Sequence, residues 1–153
     1  MSKFSIKTSI VNGVPFPSFI EQTKYDALVD LPLYSSDVFL VTHIKSGTTW
    51  LQQIATLLKI SGEKIGLDHE SRHILEACPW LEVIGKEAAT AVSSPRVFKT
   101  HLPYHMIPGG DPATSVAKFI YVIRNPKDVA VSLYYHARLL KSNDFDGDWD
   151  CFF

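Results

Sequence analysis

VFLVTHIKSGTTWLQQIATLL, residues 38–58, changes character halfway along. Val38 to Thr42 is apolar until its last residue, as a strand covered on both faces requires. Leu51, Ile54, Ala55, Leu57 and Leu58 then recur at helical spacing, and Ser61-Gly62 supplies a stop signal. Between the two lies Lys45-Ser46-Gly47-Thr48-Thr49: a cation, a glycine and three hydroxyls. A strand, a tight turn and a helix starting near Thr48-Thr49 leave a concavity of unpaired backbone N–H groups. The helix dipole adds partial positive charge there, Lys45 adds a full one, and the Ser46, Thr48 and Thr49 hydroxyls can donate to the same anion. The expectation is a phosphate or sulfate cradle. It is not the common nucleotide-binding loop, because GxxxxGK[ST] is absent and the lysine precedes the glycine.

Two further segments repeat the strand-to-site pattern. In RVFKTHLP, residues 96–103, Arg96 to His101 is a strand candidate whose alternation points Lys99 and His101 to one face. An imidazole with an ordinary pKa of about 6.5 and a cation two residues away is favoured in the neutral form a general base needs. In YVIRNPKDVAVSLYYH, residues 121–136, a buried strand from Lys118 to Ile123 ends at Arg124, suited to fork around an anion. Asn125 then caps a helix with Pro126 at its first position. Val129, Ala130, Leu133, Ala137 and Leu140 carry that helix's apolar face, and Ser132 lies about two turns beyond Arg124. Buried strands feeding helices indicate an α/β fold with a largely parallel sheet, whose ligands bind beyond the carboxyl ends of the strands. The stretch 11–20, broken by Gly13, Pro15 and Pro17, reads as turns and edge strand.

The 153 residues fit one domain, and 46% of them are hydrophobic, enough for a substantial core. Fifteen Lys and Arg against sixteen Asp and Glu leave a formal charge of -1, so no basic excess argues for nucleic acid. Neither a secretory h-region nor a membrane-length apolar run is expected. Cys78 and Cys151 are far apart and in no metal-like spacing, which suits free thiols in a reducing, cytoplasmic setting.

KSGTTW, FKTHLP and RNPKDVAVS occur in that order, and together they resemble the cytosolic sulfotransferase family, with GVPF near the start and GDWDCFF at the end. The resemblance runs from about Val11 onward. It implies a P-loop-NTPase-like parallel sheet flanked by helices, with residues 1–153 forming the N-terminal half of a sulfotransferase domain. It also implies transfer of a sulfuryl group from 3′-phosphoadenosine 5′-phosphosulfate (PAPS) to a hydroxyl or amine of a small molecule, without a metal. Carried over by position, Lys45, Ser46, Gly47, Thr48, Thr49 and Trp50 would hold the 5′-phosphosulfate end of the donor. Lys45 would also offset charge on the leaving oxygen. His101 would be the base and Lys99 a transition-state stabiliser, while Arg124 and Ser132 would contact the 3′-phosphate. The implied partners are a phenol, steroid or similar amphiphile, and a second copy in a homodimer of the full-length form. Two departures stand out. His43 and Ile44 replace the family's usual aromatic and proline before the loop, and the chain stops at Phe153, about midway through the family's length.

Two rival readings accompany this one. HESRH, residues 69–73, matches the zinc-protease pattern, with His69 and His73 as ligands and Glu70 as base. Gly66 and Pro79 leave room for only a short helix, and Glu76 stands where the extended motif wants glycine, so the match reads as chance. The second rival is a truncated relative that binds an anion or nucleotide without catalysis. Phe16, Phe19, Trp80 and Tyr135 are candidates for an apolar acceptor pocket, with core packing as their ordinary use. DFDGDWD, residues 144–150, reads as a solvated acidic loop.

Overall fold

Side chains alternate along Val38–Thr42, so this one strand serves two cores. Phe39 and Val41 enter the larger cluster, with Phe98, Leu28, Leu81 and Met106. Leu40 faces the other side, in a smaller cluster with Val97 and Cys78, against which Val38, Leu51 and Ala55 pack. A computed structural model describes residues 6–62 and 74–153. Its elements run in the order β1 (Thr8–Val11), β2 (Val14–Pro17), α1 (Gln22–Val29), β3 (Val38–Thr42), α2 (Thr48–Gly62), α3 (Ile74–Ala77), α4 (Leu81–Ala91), β4 (Val97–Thr100), β5 (Lys118–Val122), α5 (Pro126–Leu139) and α6 (Trp149–Phe152).

The main sheet has the order β4-β3-β5, with both pairings parallel. β3 is central, which explains its unbroken apolar run. Helix α2 covers one face, while the larger cluster lies on the other. At the N-terminal end of the sheet, Arg96 and Asp37 form a fully buried ion pair. Arg96 Nε donates to Oδ1 at 2.8 Å and its NH2 group to Oδ2 at 2.5 Å. Arg96 also donates to the Pro32 and Ala89 carbonyls, so little of the guanidinium is left unpaired. The Asp37 carbonyl accepts from Lys118 N and the Arg96 carbonyl from Val38 N, which ties all three strands to this pair.

The strand, loop and helix expected over residues 38–58 are present, with α2 beginning at Thr48. Asn125 caps α5 by accepting from Lys127 N at 3.0 Å, with Pro126 at the first helical position. Val129 and Ala137 are buried as the spacing predicts, whereas Leu140 lies just past the helix and is exposed.

One of two further segments matches expectation and the other does not. The stretch 11–20 is the turn and second strand of an antiparallel hairpin, β1 with β2, closed at Asn12-Gly13. Both turn residues have positive φ, the geometry that matches strand twist in a two-residue turn. The acidic stretch 144–150 is not simply a solvated loop. Phe145 is buried with Tyr134 and Ala137, Asp144 pairs with Lys7 at 2.9 Å, and Asp148 caps α6 by accepting from Cys151 N. Its aromatic residue gains more by burial than the neighbouring charges lose by standing beside it.

The apolar run of β5 predicts a buried strand, but it is an edge strand with β3 as its one partner in the sheet, so one flank stays uncovered. Ile120 and Tyr121 are exposed along it and Ile123 just after it, and an apolar groove of about 510 Å³ separates it from Leu133 and Phe153. No described helix is long and apolar enough to cross a membrane.

Candidate active site

The loop after β3 owes its shape to two left-handed residues. Lys45 has φ of 64° and Gly47 of 108°. For lysine this conformation is costly, and Arg124 helps hold it by donating from NH1 to the Lys45 carbonyl at 3.0 Å. Glycine accepts it without a Cβ penalty, and nothing lies within 4 Å of where a Cβ would stand. Leu51 N–H makes the first helical bond, to the Gly47 carbonyl at 3.1 Å. The N–H groups of Thr48, Thr49 and Trp50 therefore have no acceptor within the helix and face the loop's concavity. This is the strand, loop and helix geometry expected from the change of period.

One cavity of about 600 Å³ collects most of the residues singled out in the sequence. Lys45, Gly47, Thr48, Thr49 and Trp50 line it from the loop and α2, Lys99 and His101 from the end of β4, Arg124 from just after β5 and Ser132 from α5. Ser46 stands on the other side of the loop, on the groove beside β5, and is buried. The Thr48 hydroxyl is turned inward, 2.6 Å from Thr42 Oγ1. Trp50 is 81% exposed, so its ring is a lip and not a wall. His43 and Ile44 also line the cavity, where the departure from the family pattern falls.

Lys99 and His101 project to the same side, as alternation requires. Lys99 Nζ stands 4.0 Å from the centre of the Trp80 ring, a cation–π contact. Burial pulls the Lys99 ammonium below the usual lysine range, with Glu82 and Cys78 pulling the other way. Burial, reinforced by Lys99 and His43, lowers His101 to about 4 against the upward pull of the Thr42 carbonyl. The imidazole is thus neutral at pH 7. Its Nδ1 lies 2.7 Å from the Thr42 carbonyl, a partner that can only accept, so Nδ1 carries the proton and Nε2 keeps its lone pair. Trp80 meets His101 edge-on with ring centres 5.2 Å apart, and Phe19 meets Trp80 in the same way at 5.7 Å. Phe16, Phe19 and Trp80 form the cavity's apolar wall, whereas Tyr135 lies outside it.

Two residues of the site escaped the sequence reading. His136 lines the cavity, and its Nδ1 is 3.3 Å from Lys45 Nζ. Burial and the two lysines Lys45 and Lys99 hold its pKa below the usual histidine value. The signal was available: His136 is four residues beyond Ser132, on the same helical face. Glu82 is fully buried behind the cavity, where its Oε1 accepts the backbone N–H of His101 at 2.6 Å. No local pattern marks it.

Among the described residues, no group of three His, Cys, Asp or Glu could hold a metal ion. His69, Glu70 and His73 lie outside the described residues.

Comparison with known proteins bears on what this cavity serves. Residues 35–153 match the sequence pattern of the family described as Sulfotransferase domain. The chain is 36% identical to Sulfotransferase 4A1 of Mus musculus, over 98% of this chain and 52% of that one. It is 35% identical to Sulfotransferase 2A1 of Homo sapiens, over 92% of this chain and 50% of that one. The crystal structure of mouse sulfotransferase SULT7A1 complexed with PAP superposes with a TM-score of 0.74 at 25% identity, covering 95% of this chain and 49% of that one. The chain spans about half the length of the curated relatives it matches.

Proposed function

The chain belongs to the sulfotransferase domain family, and on that premise we propose that its cavity binds PAPS and directs a sulfuryl group to a hydroxyl, or an amine, of a small amphiphile such as a phenol or steroid. One observation carries the reading. A neutral imidazole with a free Nε2, two lysines and an arginine share a single cavity with an open helix N-terminus and an aromatic wall.

The fit to the donor rests on the cradle. Backbone N–H groups, the Lys45 ammonium and the Arg124 guanidinium converge where the donor's anionic groups would lie, and a PAP complex in a structural relative agrees with that use. Thr49, Trp50 and Gly47 complete the 5′ end, and Ser132 stands with Arg124 for the 3′-phosphate, while Ser46 supports the loop from its other side. When bound, the donor supplies the sulfuryl group and its leaving phosphate. Everything else is the protein's work. The wall of Phe16, Phe19 and Trp80 orients an apolar acceptor so that its hydroxyl meets His101 Nε2, which takes the proton as the oxygen attacks sulfur. Lys45 supports charge on the departing oxygen, and Lys99 supports the transferring group. Cys78 and Cys151 are not joined in a disulfide, which suits the cytoplasm as the compartment.

Titration with 3′-phosphoadenosine 5′-phosphate and a transfer assay over a phenol and steroid panel test the reading. His101→Ala is expected to lower transfer by about 10²–10⁴-fold with donor binding preserved. Lys45→Ala is expected to damage both. Ordinary turnover by His101→Ala would remove His101 as base. Binding without transfer in the unmutated chain would select the alternative, a non-catalytic donor-binding relative. Sizing of a longer form tests the homodimer.

A further inference from the structure

His101 sits one residue past the end of its strand. β4 stops at Thr100, and its last register partner is Val41↔Thr100. The ladder that holds the preceding residues does not hold the histidine, yet a general base needs a fixed position. Two contacts supply it. The ring is tied through Nδ1 to the Thr42 carbonyl at the end of the neighbouring strand. The backbone N–H is tied at 2.6 Å to Oε1 of Glu82, in the first turn of α4.

We propose that Glu82 is a positioning residue for His101, standing in for the missing strand partner and setting where the imidazole meets the acceptor. The inference rests on reading His101 as the base. An acid at this place is costly, because the carboxyl is fully buried and burial is the main influence raising its pKa. Trp80 and Thr100 lean toward it and offset part of that penalty. Even so, neither Glu82 Oε2 nor Trp80 Nε1 reaches hydrogen-bond geometry. The short bond to His101, at 2.6 Å, is the strongest contact the carboxyl makes among the described residues. A carboxyl oxygen accepts this bond in either protonation state, more strongly when ionised, so the bond outlasts protonation but not a loss of reach.

That distinction separates two conservative variants. Glu82→Gln keeps the reach and loses the ionisable group. Glu82→Asp keeps the ionisable group and falls one methylene short. The Gln variant is expected to keep turnover within about threefold of the parent, and the Asp variant to lose about 10–100-fold in kcat with little change in donor KM. The His101 amide proton resonance, shifted downfield by a short hydrogen bond, stays in place in the Gln variant and moves upfield in the Asp variant. In the unmutated chain, a coupling across the hydrogen bond between the His101 amide nitrogen and the Glu82 carboxyl carbon needs no variant at all. Asp turning over as well as Gln or better, or an amide resonance unmoved in Asp, overturns the proposal, as does an absent coupling in the parent. If the parent chain transfers no sulfuryl group, the functional reading fails separately, and the resonance and coupling still decide the anchor.

Discussion

His101 is folded as a neutral imidazole, and that has a consequence away from catalysis. Its folded pKa is about 4, below the ordinary value of about 6.5. Between those values the unfolded chain binds a proton that the folded chain refuses, so acidification favours unfolding. The associated stability is fully present above about pH 6.5 and is lost as pH falls toward 4, to a total of roughly 3 kcal/mol. Denaturant unfolding at a series of pH values should show that slope, and His101→Gln should flatten it. The same shift places the acid limb of the transfer rate near pH 4, where an exposed histidine would place it near 6.5. A limb at the higher value would mean that another group sets it. Lys99 contributes to both effects, since its charge is among the causes that keep His101 neutral.

Among the elements, the β3-loop-α2 unit concentrates the most function in the fewest residues. Its strand is apolar because both faces are covered, and its helix starts where the left-handed turn at Gly47 ends. Gly47→Ala tests the turn. A Cβ there meets no neighbour, so crowding is not the issue, but φ of 108° lies outside what an L-residue adopts at ease. The expected cost is about 1–2 kcal/mol of stability, read as a lower Tm. Any relaxation of the turn also disperses the N–H groups, so donor affinity should fall by about tenfold, equivalent to roughly 1.4 kcal/mol. Unchanged affinity for 3′-phosphoadenosine 5′-phosphate would show that the cradle tolerates a different backbone. The α5 end of the cavity is simpler: the Asn125 cap and Pro126 start the helix, and its phase then brings Ser132 and His136 to the site.

Taken whole, the molecule carries its polar chemistry at one end of a three-stranded sheet and leaves one sheet edge open. Along β5 and just after it, Tyr121 is 64% and Ile123 80% exposed, next to an apolar groove. Open backbone groups beside apolar side chains template pairing with another chain. The 153-residue chain is therefore expected to self-associate at concentrations on the order of 100 µM in sedimentation measurements. Tyr121→Lys with Ile123→Lys should shift it toward monomer. A monomer at that concentration would show that the edge is adequately protected as it stands.

The sequence by itself determined the local grammar of this protein. A change of period predicted a strand, a loop and a helix. Alternation paired Lys99 with His101, and Asn-Pro marked the start of α5. Those signals survive because dihedral preference, side-chain period and capping are set within a few residues. Tertiary structure decided the rest. It put β3 in the centre of the sheet, joined Arg96 to Asp37 across 59 positions, and drew Lys45 to His136 across 91. It also chose the imidazole's tautomer, through the Thr42 carbonyl 59 residues away, and its neutrality, through burial reinforced by Lys99 and His43. Desolvation and hydrogen bonding between distant segments exist only once the layers have packed, so no window of sequence contains them.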